Sequence, residues 1–130
     1  MSKVPPLGPG FSAVYFLSIQ DAEVLNGGFY QFFYNSGREA VLRAREGADL
    51  LGLPALAAAT SRALEIEERE RAKMARVKAD GTIEAFFESY QEVSFEPADE
   101  AYLALDLKLS PIIIAFIRSH PDLFVGRASP

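Results

Sequence analysis

The sequence predicts an all-α fold, a compact single-domain helical bundle of about six to seven helices, from three observations. The chain has 130 residues, the length of one domain, and 49% of them are hydrophobic, enough for a real core. Apolar residues recur at helical spacing, most cleanly at Ile83, Phe86, Phe87, Tyr90 and Val93, with Glu84, Glu88 and Glu92 on the opposite side. Helix punctuation recurs as well, with Gly at expected ends and Pro at expected starts. Residues 1–10, broken by Pro and Gly, read as a flexible N-terminal arm, and residues 11–126 as the helical domain.

Each element has its own signal. Phe11 to Leu25 is apolar and ends at Asn26-Gly27, where Gly can act as a left-handed cap. Phe29 to Tyr34 carries strand-loving residues behind an Asn-Gly pair, so a hairpin competes with helix there, and helix is preferred. Ser36-Gly37-Arg38-Glu39 fits a capping box, and Val41, Leu42, Ala48, Leu50 and Leu51 follow as core candidates up to Gly52. Pro54 opens a long helix with Leu56, Ala59, Ala63, Leu64 and Ile66 on its apolar face. From Glu65 to Lys78 that helix is charged, and the i,i+4 pairs Glu67–Arg71 and Glu65–Arg69 suit an exposed surface. Thr82 can cap the amphipathic helix that starts at Ile83 and ends before Phe95. Residues 98–109 fit either helix or strand, and their Glu, Ala, Leu and Lys content favours helix. Ser110-Pro111 opens a short, buried helix from Ile112 to Ser119, stopped by Pro121.

Composition narrows the function. There is no Cys, which excludes disulfides, thiolate nucleophiles and Cys-ligated zinc and fits a cytoplasmic protein. No apolar run approaches the roughly 18 residues of a membrane span, and the N-terminus lacks the apolar centre of a signal peptide. The net charge of −5 is concentrated: residues 80–107 hold eight acids and no Lys or Arg. A direct nucleic-acid binder would show the opposite footprint. Arg62 to Lys78 has six bases, but four interleaved acids cancel most of their field. No phosphate loop, nucleophile elbow or calcium loop is present. The single His, His120, has no Cys, His or Glu companion at metal-ligand spacing; no metal and no cofactor are expected. His120 falls at a helix C-terminus; an enzyme would need a deep pocket uniting His120 or Tyr34 with a carboxylate.

The most distinctive stretch is Asn26-Gly27-Gly28-Phe29-Tyr30-Gln31-Phe32-Phe33-Tyr34-Asn35-Ser36-Gly37, five aromatics in six positions between breakers. With Glu23-Val24-Leu25 before it, Ala101-Tyr102-Leu103, and Ile117-Arg118-Ser119-His120-Pro121-Asp122-Leu123-Phe124, it makes the chain similar to the DNA-mimic-protein-19-like family, also catalogued as domain of unknown function 4375. The resemblance runs from about Val14 to Phe124. It implies a small, cytoplasmic, all-helical bacterial protein. The family name comes from a member proposed to imitate DNA and occupy a transcription factor's DNA-binding surface, while most members have no assigned activity. Such a resemblance transfers fold better than function.

Two stretches could carry function. The acidic residues Glu84, Glu88, Glu92, Glu96, Asp99 and Glu100 form the expected partner-binding face of a non-enzymatic protein, with a basic DNA-binding protein as the partner the resemblance implies. Glu84, Glu88 and Glu92 would lie about 6 Å apart along a helix. Duplex DNA places a charge every ~3.4 Å per strand, so one stripe is roughly half as dense. Asp80 and Asp106 could thicken it, and a homodimer could extend it. The plain alternative is a solvated helix face. In the aromatic motif, Asn26, Gln31, Asn35 and Ser36 could face a ligand, but the commoner reading is a helix junction shaped by Asn26, Gly27, Gly28, Asn35 and Gly37, with Phe29, Phe32 and Phe33 in the core. The competing function is a small interaction or immunity-type inhibitor domain using an apolar or mixed surface.

Overall fold

The computed structural model describes residues 8–84 and 93–125, without the side chains of residues 77, 78 and 80. All regular structure among them is helical: α1 (Pro9–Leu50), α2 (Pro54–Asp80), α3 (Glu96–Ala104), α4 (Leu109–Ser119) and a 3-10 turn, Pro121–Leu123. These four α-helices are fewer than the six to seven expected. The segments counted separately between Phe11 and Leu51 run on as the single element α1, and most of the helix expected from Ile83 lies outside the described residues. Its first residue, Ile83, is 71% exposed rather than turned to a core, and Val93 at its far end is buried. Helix begins at Pro9, within the span expected of the arm.

A straight 42-residue helix would be about 63 Å long, and α1 is not one. Gly27, Gly28 and Gly37 leave helical geometry. Gly28 (φ 75°, ψ −178°) and Gly37 (φ 85°, ψ 167°) occupy a region essentially reserved for glycine. The chain therefore turns twice. Its first and last stretches come back together, and a Cβ on Gly47 would stand 3.0 Å from the Ala13 carbonyl oxygen. The break expected at Asn26-Gly27 is present, but Gly28 takes the positive φ. The hairpin alternative is absent, since residues 29–36 are helical. The capping box at Ser36 and Glu39 does not form: Gly37 interrupts it, and Glu39 pairs with Arg43 at 3.0 Å.

α2 packs most extensively on α1 and also against α3; α4 and the 3-10 turn pack against α1. Leu17, Phe29, Phe32 and Val41 of α1 meet Leu56, Ala59, Ala63 and Ile66 of α2 in one core, closed by Val93, Phe95, Ala98 and Tyr102. One buried polar pair interrupts it, with the Thr60 hydroxyl 3.1 Å from Gln20 Oε1. Two expectations change. Glu67, read as part of an exposed charged face, is only 7% exposed, because Arg38 crosses from α1 to pair with it. The helix of Ile112 to Ser119, read as buried, is α4, and it buries only Leu109 and Phe116; Ile114 and Ile117 are 48% and 38% exposed.

Candidate functional site

The aromatic motif and the acidic stretch meet in space. Gly28 ends one helical run of α1, and the next starts at Phe29 with backbone N–H groups that lack intrahelical acceptors. Asp99, 70 residues away on α3, supplies one: its Oδ1 accepts the Phe29 N–H at 2.8 Å. A helix N-terminus favours negative charge there. The approach is close enough that a Cβ on Gly28 would lie 2.6 Å from Asp99 Oδ2. Gly28 is thus required twice, for its dihedral angles and for the space the carboxylate fills.

The motif's polar residues are engaged with one another. Gln31 Nε2 donates to Glu23 Oε1 at 2.8 Å, and Asn35 Nδ2 donates to the same oxygen at 3.3 Å. Asn26 Nδ2 donates to Gln31 Oε1 at 3.2 Å. The network spans the kink and ties its two sides together. Phe29, Phe32 and Phe33 are buried.

The start of α3 is anchored from the other side. Phe95 precedes the helix, is buried, and stacks on Phe33 at 5.4 Å and edge-on to Tyr30 at 6.2 Å. Ser94 Oγ accepts the Glu96 N–H at 3.2 Å, and Pro97 sits in the first turn, where its missing N–H costs nothing. Tyr102, one turn beyond Asp99, donates its hydroxyl proton to Asp21 Oδ1 and meets Phe29 edge-on at 5.9 Å. Burial, and then the Asp21 carboxylate, push the Tyr102 phenol far above its ordinary range, so it remains a donor.

Between these anchors lies a concavity of about 480 Å³. Tyr30, Val93 and Phe95 form apolar walls, and Glu96, Asp99 and Glu100 supply three carboxylates. Among the described residues no Lys or Arg lines it. Glu96 and Glu100, one helical turn apart, are exposed, and neither pairs with a cation among the described residues. Asp99 is half-buried and faces inward. Burial holds its carboxyl above the usual value; the Phe29 N–H works against that rise and the nearby Glu96 charge adds to it.

The six acidic residues expected to form one face therefore separate. Glu96 and Glu100 share a surface, Asp99 lies beneath it as a capping group, and Glu84 is exposed but lines no part of the concavity. Glu88 and Glu92 lie outside the described residues. Asp106 pairs with Lys108 at 3.2 Å and adds little free charge. His120 does end α4, with Nδ1 3.3 Å from the Phe116 carbonyl oxygen and its ring stacked on Phe116 at 4.6 Å. Among the described residues no group of His, Cys, Asp and Glu is arranged to hold a metal, and no helix is long and apolar enough to cross a membrane. Asp21, Glu23, Ser94 and Phe95 went unremarked as site-building residues, because their partners are distant in sequence or depend on how α3 docks.

A family model described as DMP19-like protein matches residues 6–120. The match takes in the whole aromatic motif and Ala101-Tyr102-Leu103, and stops before Pro121. No curated protein and no solved structure matches the chain.

Proposed function

The chain belongs to the DMP19-like protein family, and on that footing we propose that it is a non-enzymatic binding protein whose acidic surface engages a basic protein, acting as a DNA mimic on a DNA-binding partner. The observation that supports this most is Glu96 and Glu100, which pair with no cation among the described residues, beside an aromatic-walled concavity, in a stretch of 28 residues (80–107) that contains no Lys or Arg. A basic side chain entering there meets these carboxylates. The protein is proposed to act in the cytoplasm.

The test is a titration of the full chain with candidate DNA-binding proteins across a tenfold range of salt. Affinity should fall steeply as salt rises, and duplex DNA should compete. Binding indifferent to both would end the mimic reading. A second reading, an interaction domain with an apolar surface, is favoured by exposed Ile114 and Ile117 on α4. Under it, Ile114→Ser with Ile117→Ser would abolish partner binding, while Glu96→Gln with Glu100→Gln would leave it intact.

A further inference from the structure

The first helical run of α1 carries an outward face that stays open to solvent. Between Pro9 and Asn26 the buried residues Ala13, Leu17, Gln20 and Val24 hold one side of the helix against the core. Phe11, Tyr15, Ser18, Ala22 and Leu25 are exposed on the other side. Their alternating steps of four and three residues make one continuous seam, the pattern by which a helix packs on a second helix. Phe11, Tyr15 and Leu25 are 45%, 52% and 59% exposed, and the rings of Phe11 and Tyr15 stack at 6.5 Å into a single ridge. A contiguous apolar patch of this kind marks an interaction surface.

A surface helix ordinarily turns charge to water. Here no exposed residue from Pro9 to Asn26 is charged. The two acids of the run, Asp21 and Glu23, are half-buried and already accept hydrogen bonds, Asp21 from Tyr102 and Glu23 from Gln31 and Asn35. A basic partner finds no free carboxylate on this face. Two copies of a chain of net charge −5 can meet across it without setting carboxylate against carboxylate.

We propose that this face is the contact between two copies of the chain, with their first helical runs antiparallel about a two-fold axis midway between Tyr15 and Ser18. Size sets that register. Tyr15 lies opposite the partner's Ser18 and Phe11 opposite the partner's Ala22, so each ring enters a hole left by a small side chain, and the two-fold repeats both pairs. A parallel register would set each ring against its own counterpart and leave Ser18 and Ala22 facing a gap. The run rises about 21 Å from Phe11 to Leu25. One helix pair of that length lies at the small end of interface sizes, which places the Kd on the order of 10–100 μM. The contact is separate from the acidic concavity and does not rest on the DNA-mimic reading.

Sedimentation velocity of the full chain, from roughly 5 μM to 1 mM, tests it. The average mass should rise from that of one chain toward that of two. Ala22→Glu puts a charge on the exposed seam and should hold the chain monomeric throughout. Ala58→Glu, exposed on α2, should leave the dimer unchanged. Circular dichroism would establish that both variants are folded. The register is read by cross-linking with a short bis-maleimide, since the chain has no Cys of its own. Ser18→Cys, only about 5 Å along the axis from its counterpart, should cross-link; Ala22→Cys, about 16 Å from its counterpart, should not. A chain still monomeric at roughly 1 mM would overturn the proposal and leave the face to a different protein. A dimer that survives Ala22→Glu, or Ala22→Cys cross-linking as fast as Ser18→Cys, would overturn it as well.

Discussion

The Asn26-to-Gly37 segment and the first turn of α3 are the two most unusual stretches of the chain, one for its aromatics and the other for its carboxylates. They face opposite ways. The first turns Phe29, Phe32 and Phe33 into the core and links Asn26, Gln31 and Asn35 to Glu23. The second turns Glu96 and Glu100 out to solvent, unpaired among the described residues. Asp99 joins them. It belongs to the acidic turn by sequence and to the aromatic motif by contact. A carboxylate's neighbours in sequence therefore do not tell what it does. Asp99 and Glu100 are adjacent, yet one caps a helix across the fold and the other meets water.

The contrast makes predictions of graded size. The largest concerns the packed side. Phe32→Ala removes a fully buried ring and should cost about 3–5 kcal/mol in chemical denaturation. Next come the two glycines. Gly28 and Gly37 hold nearly the same strained dihedral angles, so either one replaced by Ala should cost on the order of 1–3 kcal/mol of backbone strain. Only at Gly28 does the added Cβ strike Asp99; at Gly37 nothing lies within 4 Å. Gly28→Ala should therefore be worse by roughly another 1 kcal/mol, the worth of the displaced cap. Equal losses would separate the motif from Asp99.

Asp99 itself should show in the pH dependence. Its folded carboxyl sits above its ordinary 3.8, chiefly through burial. The folded state then holds that proton more tightly than the unfolded state. The Asp99 contribution to stability is greatest below 3.8 and declines as pH rises through the window up to the raised value. Wild type should lose stability relative to Asp99→Asn across that window, as read from paired denaturation curves. A loss in the opposite direction would mean that the Phe29 hydrogen bond outweighs burial. The smallest effect belongs to the exposed side: Glu96→Gln with Glu100→Gln should change stability by less than about 0.5 kcal/mol while weakening binding to a basic partner. A large stability loss would make these residues structural, like Asp99.

Much of the fold was legible in the chain. Helical periodicity and the Pro54 start are local properties, and they appear where expected. So does the break after Asn26, although the choice of Gly28 over Gly27 depended on where Asp99 lands. The helix from Ile83 is expected to end before Phe95; in the structure Phe95 precedes α3 and stacks on Phe33, a contact that no local pattern announces. Ile112 to Ser119 looked buried by composition alone, but among the described elements α4 packs against α1 and the 3-10 turn, and Ile114 and Ile117 stay exposed. The candidate site was half legible. A region of dense, unopposed acid could be seen in the order of residues, whereas its division into a cap, an exposed pair and a paired Asp106 could not.

By itself, then, the sequence determined the helical class, the main breaks, the family and the location of the negative charge, because spacing, backbone preference and net charge are set by residues near one another in the chain. The tertiary structure alone decided which carboxylates face inward, that Arg38 pairs with Glu67 across two helices, and that Gly28 must leave room for Asp99. Those outcomes depend on groups 29 to 81 residues apart brought within contact, as with Arg38 and Glu67 or Tyr102 and Asp21. Burial and pairing are decided by what packs opposite, and no local pattern specifies that.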